Sequence, residues 1–170
     1  MSGRKFSDLL LSVWEYAGEV IAAGLVYVLL RIWFGSASIS KFYADKQSAG
    51  AILVGIILAS CIAVWVAFGA LLSSEFGKWL RTTGNATVYS RAFAFPILVS
   101  LATLSLLLTF SADTTAAHFV TIMVIYNLLN FITMIFNLHG LYRLWQEKDR
   151  TDHQHETADG PHGDSHNKQP

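Results

Sequence analysis

Two glutamates set in an apolar run are the residues best suited to chemistry in this chain. Glu15 and Glu19 open the stretch 15–34, which reads EYAGEVIAAGLVYVLLRIWF. Residues four apart share a helix face. A charged group in a membrane-spanning segment is expensive and marks either the bilayer boundary or a working site. Two neighbouring carboxyls of this kind could take up a proton or a small cation, or anchor a basic side chain of a partner. The competing reading is a pair of interfacial glutamates facing headgroup water. That reading weighs more for Glu15, at the edge of the run, than for Glu19, which has apolar residues on both sides.

A second polar set lies far downstream. Asn127, Asn130 and Asn137 interrupt an otherwise apolar segment, and at 100° per residue they fall within ~80° of one another. Amides in a membrane helix seek partners on neighbouring helices. The stripe therefore reads either as interhelical glue, to Ser100, Thr103 or a partner subunit, or as the lining of a hydrated path with Glu19 at its inner end. Arg91, His139 and Arg143 stand at helix ends on the same side as Glu15 and Glu19, and are candidate charge partners for them. A third pattern is steric. Ala51, Gly55, Ala59, Ala63 and Ala67 recur at every fourth position, and small residues at that spacing let two helices approach closely.

Several chemistries are disfavoured. The one cysteine, Cys61, excludes an intrachain disulfide and a CxxC metal site. There is no HExxH and no Walker loop, and His118 and His139 stand at opposite ends of one segment, unlike a haem pair. His153, His155, His162 and His166 sit in a polar tail without cysteine, which reads as solvated. No cofactor and no metal are expected. The 12 basic and 12 acidic residues balance, so the basic footprint of a nucleic-acid binder is missing.

The elements that carry these residues follow from composition. The chain is 53% hydrophobic and only 14% charged, against about 25% charged in soluble domains. The surplus apolar surface requires lipid. Hydropathy predicts an all-α integral membrane protein with four transmembrane helices, at about 9–34, 48–72, 91–110 and 118–145, in an antiparallel up-down bundle. One transmembrane domain, 1–145, is followed by a disordered cytoplasmic tail, 146–170, which is almost devoid of apolar residues. The first apolar segment is too long and too charged for a signal peptide. Residues 35–47 read as a polar linker. Within the loop 73–90, Phe76, Trp79 and Leu80 alternate with Glu75, Lys78 and Arg81, which suits a short helix at headgroup level. Pro96 is expected near the start of the third spanning helix, where its missing donor costs least.

Nine basic residues fall on one side of this arrangement (Arg4, Lys5, Lys78, Arg81, Arg91, Arg143, Lys148, Arg150 and Lys168) and three on the other (Arg31, Lys41 and Lys46). The positive-inside rule then puts both termini in the cytoplasm. The plasma membrane, or the inner membrane of a bacterium, is the expected location. Two functions fit. One is a non-enzymatic protein that associates with itself or with a partner membrane protein. The other is an oligomeric channel or transporter subunit that handles protons or small cations through Glu19 and the asparagines.

Overall fold

The computed structural model describes the backbone of residues 2–110 and 114–158, and the side chains of residues 17–110 and 115–151. The described residues are all-helical: α1 (Ser2–Phe34), α2 (Ser36–Leu71), α3 (Glu75–Thr82), α4 (Asn85–Thr109) and α5 (Thr114–Ala158). Four of these helices, α1, α2, α4 and α5, are long and apolar enough to cross a membrane. Their outward faces carry Leu25, Leu29, Ile52, Ile56, Val66 and Leu108, all exposed, as lipid-facing surface requires.

The helix boundaries differ from the hydropathy reading in four places. α2 begins at Ser36, so residues 36–47 are helix rather than linker. Ile39 and Tyr43, one turn apart, are buried there. The Tyr43 hydroxyl donates to Phe110 O (3.1 Å), and Gln47 Nε2 donates to Leu107 O (2.6 Å) and Phe110 O (3.0 Å). These side chains satisfy carbonyls that the end of α4 leaves without intrahelical partners. Hydropathy cannot register such work.

α4 begins at Asn85, so Pro96 lies buried in its interior and not near its start. Bundle packing outweighs the missing backbone bond, as it commonly does in spanning helices. α5 continues through 146–158, where composition predicts a disordered tail. That stretch lacks Gly and Pro until Gly160-Pro161, and the Thr151 hydroxyl bonds back to Glu147 O at 2.9 Å. α1 begins at Ser2, ahead of the expected position 9.

Two connections are tight. Gly35 alone joins α1 to α2, at φ 76° and ψ 157°, a region essentially restricted to glycine. α3 is capped by Ser74, whose hydroxyl accepts from Gly77 N (3.2 Å) and donates to Leu71 O (2.7 Å). Its Phe76 and Leu80 are buried and its Glu75, Lys78 and Arg81 exposed. A left-handed Gly84 then turns the chain into α4.

The interior has two apolar layers. One gathers Ile57, Cys61, Phe68, Phe76, Phe93 and Met134 from four helices, with Phe68 and Phe93 edge to face at 5.1 Å. The other holds Tyr43, Val54, Leu107, Ala117 and Val120. Buried polar residues separate them. α1 is peripheral: 11% of its apolar span is buried, against 33% for α4. It lies on α5 along a narrow strip that includes Ala23 and Tyr27.

Candidate intramembrane polar site

α5 is the element that assembles the site. Asn127 is wholly buried and Asn130 is 2% exposed. The Ser100 hydroxyl of α4 donates to Asn127 Oδ1 at 2.9 Å, and on its other side Ser100 meets the buried Cys61 thiol of α2. Thr103, one turn along α4, is also buried and donates to Val99 O at 2.8 Å, with a longer approach to Met123 O at 3.5 Å. Asn130 Nδ2 donates to Tyr126 O at 3.2 Å. Across the α1–α5 seam, Glu19 is close enough to Tyr126 to act on it electrostatically, and Asn130 lies within hydrogen-bonding reach of the same phenol.

On the α5 wheel, Asn127, Asn130 and Tyr126 occupy a continuous arc of ~100°. That arc turns from α4 toward α1. The result is a transverse polar belt, Cys61–Ser100–Asn127–Asn130–Tyr126–Glu19, that touches all four spanning helices. Two atoms in it remain without hydrogen-bond partners among the described residues although buried: Glu19 Oε2 and Asn127 Nδ2. Two turns along the same seam, Tyr27 packs edge-on against His118, with centroids 6.0 Å apart. His118 Nδ1 is likewise buried and unpartnered among the described residues.

Glu19, Asn127 and Asn130 thus come together, and Ser100 is the partner of Asn127. Asn137 is half-buried further along α5. The Glu15 side chain lies outside the described residues. Arg91, His139 and Arg143 are exposed, and none of them partners the buried Glu19 oxygen. Similar depth does not bring side chains onto the same face. The histidines of residues 152–170 lie outside the described side chains.

The small-residue stripe winds across the surface of α2. Ala51 and Gly55 are half-buried, whereas Ala59, Ala63 and Ala67 are exposed. The chain's own packing uses Ala51, at one end of the stripe, and otherwise Val54, Ile57, Cys61 and Phe68. A Cβ on Gly50 would stand at an ordinary packing distance of 3.6 Å from Leu107 of α4, while a Cβ on Gly55 would meet nothing within 4 Å.

Tyr126 and Cys61 are the belt members that sequence reasoning did not single out. Tyr126 precedes Asn127 directly and reads as an ordinary apolar-face aromatic. Only its place on the wheel beside Asn130 could have marked it. Chemically, the belt offers amide, hydroxyl, phenol and carboxyl groups that can donate and accept, with the Cys61 thiol and the Glu19 carboxyl at opposite ends and a break in the hydrogen bonding between Asn127 and Asn130. Comparison with protein-family models, with curated proteins and with solved structures finds no match to this chain.

Proposed function

We propose that the protein is a non-enzymatic, multi-pass membrane component that works by lateral helix association, with a second copy of itself or with a partner membrane protein. The observation that carries this reading is the exposure of Ala59, Ala63 and Ala67 on α2 while the Ser100–Asn127 bond closes inside the chain. A stripe of small residues left outside the chain's own packing suits close contact with another helix. An up-down antiparallel arrangement is supported by the pairings along the bundle: Tyr43 with Phe110 and Phe68 with Phe93, Ser100 with Asn127, and Tyr27 with His118. The distribution of basic residues supports cytoplasmic termini, and a plasma or bacterial inner membrane location is consistent with it.

Ala59→Leu with Ala63→Leu tests the association. Both positions are exposed in the single chain, so the fold should persist. Crosslinking in native membranes and the oligomeric state in mild detergent should both shift toward the unassociated form. Assembly unchanged by the double substitution defeats the reading.

The second reading, an oligomeric path for protons or small cations, is favoured by one observation: Glu19 Oε2 and Asn127 Nδ2 are buried without partners among the described residues at either end of the α5 arc. Flux into liposomes, compared between the native protein and Glu19→Gln, tests it. Flux no greater than in empty liposomes removes this reading.

A further inference from the structure

The carboxyl of Glu19 lies inside the apolar span Ala17–Phe34, within electrostatic reach of the Tyr126 phenol of α5. Its level is well inside the bundle. Tyr126 adjoins Asn127, which bonds Ser100. Ser100 stands fifteen residues from the first residue of α4 and nine from the last, ~22 and ~14 Å along the axis. The packing of Tyr27 on His118 fixes the same register, since Glu19 and Tyr126 each lie eight residues away from that pair along their helices. A carboxyl at such a level is expensive unless a basic group or a set of donors meets it. Among the described residues neither does. Glu19 Oε2 is buried without a hydrogen-bond partner, and Asn130 Nδ2 donates to Tyr126 O instead. Along the seam the nearest basic side chains are His118, eight residues from Tyr126, and Arg31, twelve from Glu19, ~12 and ~18 Å along the axis.

Glu19 also stands at a border. On the α1 wheel, the buried Ala23 and Tyr27 lie ~40° and ~80° to one side of it. Ala22 and Gly18 lie ~60° and ~100° to the other. On that second side the helix is open: Gly18, Val26 and Leu29 are exposed, and a Cβ on Gly18 would meet nothing within 4 Å. Gly18 and Ala22 are one turn apart, and small residues at that spacing admit another helix at close range. A side chain from such a helix could then reach the half-buried Glu19 from the open side.

A second copy does not supply the missing group. Copies inserted in the same orientation meet at the same level. At the level of Glu19 this chain presents Cys61, Ser100, Asn127, Asn130 and Tyr126, none of them basic, and a like carboxyl. Charge complementarity therefore calls for a different chain, and for a cation that brings N–H donors to the orphaned oxygen.

We propose that the Gly18–Ala22 face of α1 docks a spanning helix of a different membrane protein, and that a lysine or arginine near the midpoint of that helix pairs with Glu19. The proposal goes beyond the association reading, since it uses α1 and not the small-residue stripe of α2, and either can fail without the other. It is tested on the full-length protein in phosphatidylcholine vesicles. The probes are synthetic spanning peptides of leucine and alanine with lysine, asparagine or leucine at the centre and a photoreactive group beside it. Crosslinking of the lysine peptide to α1 should exceed that of the leucine peptide roughly tenfold, a ratio equivalent to ~1.4 kcal/mol, with the asparagine peptide close to leucine. Glu19→Gln, which keeps the shape of the side chain, should bring the lysine peptide down to the leucine level. Gly18→Leu, set in open space, should block the close approach and lower the yield, while Ala59→Leu with Ala63→Leu should leave it unchanged. Equal crosslinking of the lysine and leucine peptides, an asparagine peptide that matches lysine, or a lysine preference that survives Glu19→Gln or Gly18→Leu would each overturn the proposal. A Glu19→Gln variant that loses ion flux while the native protein treats all three peptides alike would assign the carboxyl to a path and overturn it as well.

Discussion

Removing the Ser100 hydroxyl should be costly only while Asn127 is present. The two side chains share a 2.9 Å hydrogen bond in a fully buried setting, and Asn127 Nδ2 already has no partner among the described residues. Ser100→Ala would orphan Oδ1 as well, leaving an amide with neither end bonded. A buried polar atom without a partner costs ~1–3 kcal/mol, while interhelical hydrogen bonds in a membrane average ~0.6 kcal/mol and reach ~1.7. We expect Ser100→Ala to destabilise by about 1 kcal/mol on these figures. Asn127→Leu behaves differently. It replaces the whole amide by an apolar group of the same branched shape, and the Ser100 hydroxyl can bond a carbonyl one turn back in its own helix. Removing both members of such a pair is close to neutral. The double variant should therefore match Asn127→Leu alone, which gives a coupling of about 1 kcal/mol between the sites. Reversible unfolding in mixed micelles, followed by far-ultraviolet circular dichroism, measures all four corners of the cycle. If Ser100→Ala costs the same in both backgrounds, the hydrogen bond contributes nothing. If Asn127→Leu is the most damaging corner, the amide holds a further partner.

Three other outcomes follow from backbone and capping geometry. Gly77→Ala should loosen α3 by about 1–3 kcal/mol, because a Cβ there would collide with the Leu72 backbone; faster proteolysis within 73–84, with the spanning helices intact, would show it. Gly35→Ala meets no neighbour but forces a Cβ residue into a glycine-only conformation, which costs about 1–3 kcal/mol; unchanged stability in the same micelle titration would contradict it. Gln47→Leu should lower stability by about 1 kcal/mol by leaving Leu107 O without its 2.6 Å donor, and should raise hydrogen exchange at the end of α4.

The spanning helices were readable because a bilayer imposes a length and a composition on them. Residues 36–47 were not, since Tyr43 and Gln47 serve another helix's carbonyls and polar composition looks the same in a linker. The same holds for α5 beyond Trp145, where the absence of Gly and Pro mattered more than the absence of apolar residues. Within the site, the asparagines stood out because an amide in an apolar helix is a mismatch that needs a partner, and Ser100 was in reach of that argument. The suggested pairing of Glu19 with Arg91, His139 or Arg143 rested on depth alone. Depth follows from position along the chain; the face follows from packing, which turned those bases outward and set Tyr126 near the carboxyl.

Gly35 makes α1 a lever. Gly35 is the one residue between the two long helices, so its two torsions, together with the α1–α5 seam, set the angle between them. From Gly35 to Ala17 the arm is about 27 Å long. A change of about 10° at the joint swings its far end by ~5 Å, roughly the height of one helical turn. A rotation of that size at Gly35 would displace Glu19, the belt residue carried by α1, relative to Tyr126 of α5.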